Sequence, residues 1–327
     1  MNHTISRRSL LRGTCATVAG GMAAMAAGAN VQSNAAAAAE TAPGEPPFRY
    51  CLNTSTIRGQ GLSLMEEIDL AARAGYDGIE PWIREIDQHA ADGRSLQDLR
   101  KRIADAGLRV ESAIGFAAWI VDDEAKRQEG LEEAKRSMGL VRQIGGSRMA
   151  APPVGATDIS GFDLFKAAER YRALLELGRT IGVVPQLEIW GFSKTLSRLG
   201  EAVLVAVESG HPDACLLPDV YHIFKGGSDF TGLRLLGAAA MHVFHVNDYP
   251  ADPPRESIND AARVYPGDGV APLADILRGL RASGFRGALS LELFNRDYWQ
   301  QDAAQVARTG LEKMQAAVAE SLEENTG

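Results

Sequence analysis

The sequence predicts a single (β/α)8 barrel. Three observations carry this: eight short apolar runs alternate with helical patterns from residue 50 onward, glycines repeatedly stop a helix just before the next strand, and about one barrel's length of chain remains after the first forty residues. The first strand is expected over 50–54, followed by a helix whose apolar face is Leu62, Met65, Ile68, Leu70 and Ala71, stopped at Gly75. Gly78-Ile79-Glu80 is the second strand, and the helix over 95–106 ends at Gly107. Strand three covers 109–113, a long charged helix 123–144 runs into Gly145-Gly146, and strand four covers 147–150. The stretch 158–181 holds the next helix, closed by Gly182, before strand five at 183–189 and a helical segment over 193–208. Strand six (214–219), a short helix near 230–236, strand seven (241–247), a long loop to Gly269, a helix over 273–283, strand eight (288–293) and a last helix over 302–322 complete the series. Such repeats imply parallel strands joined by right-handed crossovers. An open doubly wound sheet is the alternative, but no Gly-x-Gly-x-x-Gly follows the first strand.

The N-terminal region has a different character. Arg7 and Arg8 precede an Ala- and Gly-rich apolar stretch from residue 14 to 29, and a run of small residues, 34–39, follows. That order is expected of a secretory signal of the twin-arginine (Tat) type over residues 1–39, and it predicts an exported, periplasmic protein. The apolar stretch is too weak and too Gly-rich for a membrane span, so no stable membrane insertion is expected. Residues 40–48, rich in proline, read as a linker, and 49–322 as the barrel domain.

The chain carries 34 Lys and Arg against 42 Asp and Glu, a formal charge of −8, and residues 1–39 contribute three arginines and no acid. The domain beyond them is therefore the more acidic part. An acidic surface argues against nucleic acid as a partner, because phosphate contacts need Lys and Arg. Cys51 and Cys215 are expected as buried free thiols rather than a disulfide.

In this fold the chemistry sits at the C-terminal ends of the strands. With a side-chain period of two, Gln186 and Glu188 share a face, as do Leu217 and Asp219, Val243 and His245, and Ser290 and Glu292. Four adjacent strands thus each place one ligand-type side chain late on one face: Glu188, Asp219, His245 and Glu292. Three carboxylates brought together would repel one another and raise each other's pKa, and a divalent cation removes that conflict. Oxygen donors with one imidazole suit Mn²⁺, Co²⁺, Mg²⁺ or Fe²⁺, with Zn²⁺ also admissible, and leave positions open for substrate oxygens.

These segments resemble the xylose isomerase-like barrel superfamily of sugar isomerases and epimerases, which includes the D-tagatose 3-epimerase, inosose dehydratase and hydroxypyruvate isomerase types. The resemblance spans roughly 50–319 and is most specific in Leu187-Glu188-Ile189, Asp219-Val220-Tyr221-His222, His245-Val246-Asn247-Asp248 and Leu291-Glu292-Leu293. It implies that Glu188, Asp219, His245 and Glu292 bind one metal ion and that His222 contacts substrate. It also matches Pro266-Gly267-Asp268-Gly269 to the family's glycine-rich segment between strands seven and eight. The pattern departs from the sugar 3-epimerases in two places. No acid follows the strand-five ligand in Trp190-Gly191-Phe192-Ser193-Lys194, and the arginine expected soon after the strand-seven histidine has only Arg255 and Arg263 as candidates.

The expected activity is metal-dependent isomerisation or epimerisation of a keto-sugar or a polyol-derived ketone, with Glu188 and Glu292 as base and acid and His222 as a catalytic donor. Dehydration through the same enediolate remains open, because the ligand set is common to both. A non-catalytic sugar-binding barrel is a third reading, and a nuclease with a His-rich zinc site is disfavoured by the few histidines and the acidic surface. Glu80, Trp82, Trp190 and Lys225 are further candidates for substrate contact, the tryptophans because apolar sugar faces stack on aromatic rings. The partner is a small molecule, and a homo-oligomer is compatible with the sequence.

Overall fold

The structure is a computed structural model that describes residues 47–323. The expected signal over 1–39 and all but the end of the 40–48 linker lie outside the described residues.

Among the described residues, eight parallel strands form the barrel: β1 (Arg49–Asn53), β2 (Gly78–Glu80), β3 (Arg109–Val110), β4 (Arg148–Ala151), β5 (Val184–Glu188), β6 (Leu216–Leu217), β7 (Val243–Val246) and β8 (Ala288–Leu291). One run of pairing is β3-β2-β1-β8-β7 and the other is β4-β5-β6. Two thin seams complete the circle. The Ala150 N–H donates to the Ala113 carbonyl (2.8 Å) between the third and fourth strand regions, and bridges at Leu216–Met241 and Asp219–His245 join β6 to β7. Strand β1 pairs with β8 from Arg49–Ala288 to Leu52–Leu291, so the chain closes on itself.

Within the same residues, nine α-helices surround these strands: α1 (Leu64–Ala74), α2 (Ile83–Ala91), α3 (Leu96–Asp105), α4 (Glu124–Gln143), α5 (Leu164–Ile181), α6 (Leu199–Glu208), α7 (Val220–Lys225), α8 (Leu273–Ala282) and α9 (Ala303–Leu322). Their ends follow local chemistry. Ser63 and Glu66 form a reciprocal capping box at α1, and Asp123, Asp163 and Asp302 cap α4, α5 and α9. Gly75 and Gly182 take left-handed φ of 98° and 83° where α1 and α5 stop, a conformation that costs side-chain-bearing residues energy.

The fold departs from the sequence expectation in several elements. Helix α2 is an addition; its Glu85 carboxylate accepts from the Trp82 N–H, so the helix starts without a conventional capping residue. Helix α7 is a second addition, capped by Asp219 directly after the two-residue β6. The first third of the expected 193–208 helix is loop: the Ser193 hydroxyl bonds the Thr195 carbonyl (2.6 Å), and the helix begins at Leu199. Strand three is only two residues long, although the chain continues alongside its neighbours to Ile114. The segment near Phe230–Leu235 is a 3-10 helix.

The core has two parts: a large apolar mass in which Phe48 packs against Phe285 (ring centroids 5.8 Å), and a smaller cluster built around the strand residues Cys51, Ala150, Leu217, Val243 and Ala288. Cys51 and Cys215 are buried free thiols, as expected. No helix among the described residues is long and apolar enough to cross a membrane.

Between α1 and α2 lies a buried acid with a consequence for stability. Glu67 is 2% exposed, and its Oε2 has no hydrogen-bond partner among the described residues. Burial, and then the neighbouring Glu85, push its carboxyl up to about 9. The folded state therefore holds this proton where the unfolded chain releases it, and the associated stability is full below pH 4.5 and lost as pH rises towards 9. Glu67→Gln is expected to flatten the fall of urea-unfolding free energy between pH 5 and pH 8 by on the order of 1–3 kcal/mol. Parallel pH profiles for variant and parent would exclude this account.

Candidate active site at the barrel mouth

The C-terminal ends of β5 to β8 gather Glu188, Asp219, His245 and Glu292 at one mouth of the barrel, each at most 3% exposed. Asp219, His245 and Glu292 each offer one ligand atom, and these atoms lie within 4.8 Å of one another. His245 Nδ1 is 3.3 Å from Glu292 Oε2 and 3.7 Å from Asp219 Oδ2. Its Nε2 faces Glu80 Oε2 at 3.0 Å, so an Nε2–H donated to that side chain would leave Nδ1 turned towards Asp219 and Glu292 for a cation. Nδ1 is buried and has no hydrogen-bond partner among the described residues, which is what a ligand atom awaiting a metal looks like. The donor set of two carboxylates and one imidazole fits a divalent ion.

Glu188, the fourth expected ligand, is not among the atoms that gather within 4.8 Å. It faces the same cavity, with Oε2 buried and lacking a hydrogen-bond partner among the described residues. Burial, and then Glu292, raise its carboxyl to about 8. Glu292 goes the other way: burial pushes it up, but His245 and Arg263 outweigh that and hold it below the usual carboxylate range. Two carboxyls of one site are thereby shifted in opposite directions.

The difference comes from Arg263. Its guanidinium is fully buried, with Nη1 donating to Asp219 Oδ2 and Glu292 Oε2 (both 2.9 Å) and Nη2 to Asp260 Oδ1 (2.6 Å). Nη2 also lies 3.1 Å from His222 Nε2. Each carboxylate oxygen has two lone pairs, so contact with Arg263 leaves one on Glu292 Oε2 for a metal ion; Asp219 Oδ2 also accepts from Asn247 Nδ2 (3.0 Å), so the remaining lone pair of Asp219 is on Oδ1, beside the His222 N–H. Arg263 stands eighteen positions after His245, yet its neighbour Val264 pairs with Asp248 through reciprocal backbone bonds of 2.9 and 3.0 Å. The intervening chain is thereby looped out and Arg263 is delivered beside the strand-seven histidine. Asp248 also accepts from the N–H groups of Gly267, Gly269 and Ala271, so the glycine-rich segment works as an anchor for this loop.

His222 lines the cavity from α7, one turn past Asp219, whose Oδ1 accepts its N–H (2.8 Å). Burial, and then Arg263, lower its pKa, so the ring is neutral. The Gly191 N–H approaches its Nδ1 at 3.3 Å. A side chain at Gly191 would press on the His222 carbonyl oxygen, so glycine is required for this approach.

Two candidate substrate contacts are not on the cavity wall. Glu80 is fully buried beneath His245, where its Oε2 accepts from Asn53 Nδ2 (3.0 Å), Ser290 Oγ (2.6 Å) and the imidazole; it orients the histidine. Lys225 donates to the Arg255 and Glu256 carbonyls and ties down the loop before Arg263. Trp82 and Trp190 do line the cavity, which has a volume of about 370 Å³. Asn53 is a site residue absent from the sequence expectation: it donates to Glu80 and Glu292 and accepts from the Trp82 indole N–H (3.0 Å). One signal does mark it, since Asn53 sits late on β1 in the position that carries a ligand on the other strands.

The chain belongs to the xylose isomerase-like TIM barrel family, whose pattern matches residues 68–317. It is similar to an inosose isomerase of Bacillus velezensis, 26% identical over 276 residues that cover 83% of this chain and 97% of the relative. It is also similar to a 3-dehydroshikimate dehydratase of Pseudomonas aeruginosa, 29% identical over 246 residues, 71% of this chain but 36% of that longer protein. Among solved structures, the IolI protein with a bound zinc atom superposes with a TM-score of 0.78 at 21% identity, covering 85% of this chain and all of the other.

The Glu80–His245 pair generates a direct prediction. Glu80→Ala leaves His245 Nε2 and Ser290 Oγ without their acceptor, and is expected to weaken Mn²⁺ binding by about 10–100-fold in isothermal titration while the fold persists. Unchanged affinity in a folded variant would remove Glu80 from the support of the site.

Proposed function

We propose that this protein is a metal-dependent isomerase or epimerase that acts on a keto-sugar or a polyol-derived ketone. The observation that carries the proposal is the Asp219–His245–Glu292 triad at the barrel mouth, with the second carboxyl, Glu188, on the same cavity. The similarity to inosose isomerases along nearly their whole length supports the same reading.

When bound by Asp219, His245 and Glu292, with Glu188 as a further candidate ligand, one divalent ion (Mn²⁺, Co²⁺, Mg²⁺, Fe²⁺ or Zn²⁺) polarises a carbonyl and acidifies the adjacent C–H. The protein's own groups do the rest. An ionised carboxylate at the cavity takes the proton from carbon, and a protonated one returns it to the opposite face or to the neighbouring carbon. Epimerisation follows in the first case and isomerisation in the second. His222 and Arg263 line the same end and are placed to meet the oxygen on which charge develops. Trp82 and Trp190 hold the ring of the substrate against the wall.

Loss of a β-hydroxyl from the same enediolate is the second reading, favoured by the similarity to 3-dehydroshikimate dehydratases. Export to the periplasm by the twin-arginine route completes the proposal; it rests on Arg7, Arg8 and the apolar stretch after them, and fractionation of cells expressing an Arg7→Lys/Arg8→Lys variant tests it, since unaltered export would overturn it.

Deuterium exchange tests the chemistry. The protein is stripped with chelator, reloaded with Mn²⁺ and incubated in D2O with a panel of keto-sugars and inososes, with NMR as readout. The expected result is deuterium at a carbon next to the carbonyl, lost without metal and reduced about 10²-fold or more in Glu188→Gln and in His222→Ala. Alkene formation in the same spectra would select dehydration. No exchange on any member of the panel, with metal bound and the fold intact, would defeat the isomerase reading.

A further inference from the structure

The cavity wall contains an aromatic arc that exceeds what a bare polyol requires. Trp82 packs against Phe116 (centroids 5.0 Å), Phe116 against Trp190 (6.1 Å) and Trp190 stacks on Phe192 (5.2 Å), which in turn reaches the His222 ring (5.8 Å). These rings come from three separate strand-to-helix connections, after β2, β3 and β5, and all line the one cavity. Phe116 and Phe192 remain 43% and 48% exposed.

Three of the four rings offer no hydrogen bond to a substrate hydroxyl. The Trp82 indole N–H is committed to Asn53 Oδ1 at 3.0 Å. The two phenylalanines have nothing to donate. A hydroxyl pressed against this wall would lose its water without replacement, which is costly. The apolar C–H face of one sugar ring covers a single aromatic ring, and Trp82 with Trp190 already provides for that. Asn259, Asp260 and Arg296 add polar groups to the same cavity, and Phe294 and Trp299 add further rings. The aromatic lining thus extends from Trp82 to two half-exposed phenylalanines.

We infer that the substrate is a keto-sugar or keto-cyclitol carrying a planar, apolar substituent, such as an aryl group, which Phe116 and Phe192 hold beside the reacting ring. This rests on the proposed function for the reacting half and adds a second subsite for the substituent. Continuity with the reaction cavity favours a substrate group over a partner protein as the occupant of these exposed rings.

Equilibrium binding tests the subsite without any turnover. Phenyl β-D-glucopyranoside and methyl β-D-glucopyranoside share one sugar and differ only in the substituent, and Trp fluorescence with calorimetry reads both. The expected result is about tenfold tighter binding of the phenyl compound, the size of one or two aromatic contacts. In Phe116→Ala/Phe192→Ala the ratio is expected to fall towards one; both side chains are half-exposed, and circular dichroism verifies the fold. Equal affinities, no binding of either glucoside, or a preference that survives the double substitution would overturn the inference. Because neither glucoside carries a carbonyl, this outcome is independent of the deuterium exchange that tests the reaction itself.

Discussion

The barrel mouth is governed by the need to hold four acidic side chains, Glu80, Glu188, Asp219 and Glu292, almost completely out of water. Unpaired buried carboxylates would be driven to take up protons or to unfold the site. Arg263 supplies compensating charge within the chain, and it and His245 are each fully buried against two or more of the acids. Much of the surrounding structure serves that arrangement. The Asp248–Val264 bridge, the ring of N–H groups on Asp248 and the Lys225 anchor all fix the loop that delivers Arg263. Asn53 and Ser290 fix Glu80, which in turn fixes His245.

Uneven sharing of this charge gives the site its chemistry. Arg263 reaches Asp219 and Glu292 but makes no bond to Glu188, so one cavity carboxyl is favoured as an anion and the other as an acid. The asymmetry is a property of the loop after β7, not of the strand ends that carry the acids.

What is legible in the sequence follows from the range of the interactions involved. Strand periodicity and glycine stops are local, so the barrel, most helix ends and the convergence of Asp219, His245 and Glu292 can be read from residue order alone. Helices α2 and α7 escape such a reading because each starts immediately at the end of a strand, with Glu85 reaching back to cap one and the site residue Asp219 doubling as cap for the other. Arg263 is only one of two candidate arginines in the sequence, since its position depends on Val264 pairing with Asp248 across a long loop. Glu80 has the pattern of a substrate contact at a strand end, but its partner, His245, is supplied by a strand 165 positions away in sequence. Lys225 follows His222 by a helical step, yet its amine turns to backbone carbonyls that no spacing rule announces.

Asp219, His245 through Nδ1, and Glu292 would together hold one divalent ion. Pulsed electron paramagnetic resonance of the Mn²⁺-loaded protein tests it most directly, because a directly bonded imidazole nitrogen modulates the manganese signal. The account predicts one Mn²⁺ per chain with coupling to a single imidazole nitrogen that disappears in His245→Ala. Failure to retain Mn²⁺, or a bound ion whose spectrum lacks nitrogen coupling or keeps it after that substitution, would contradict it.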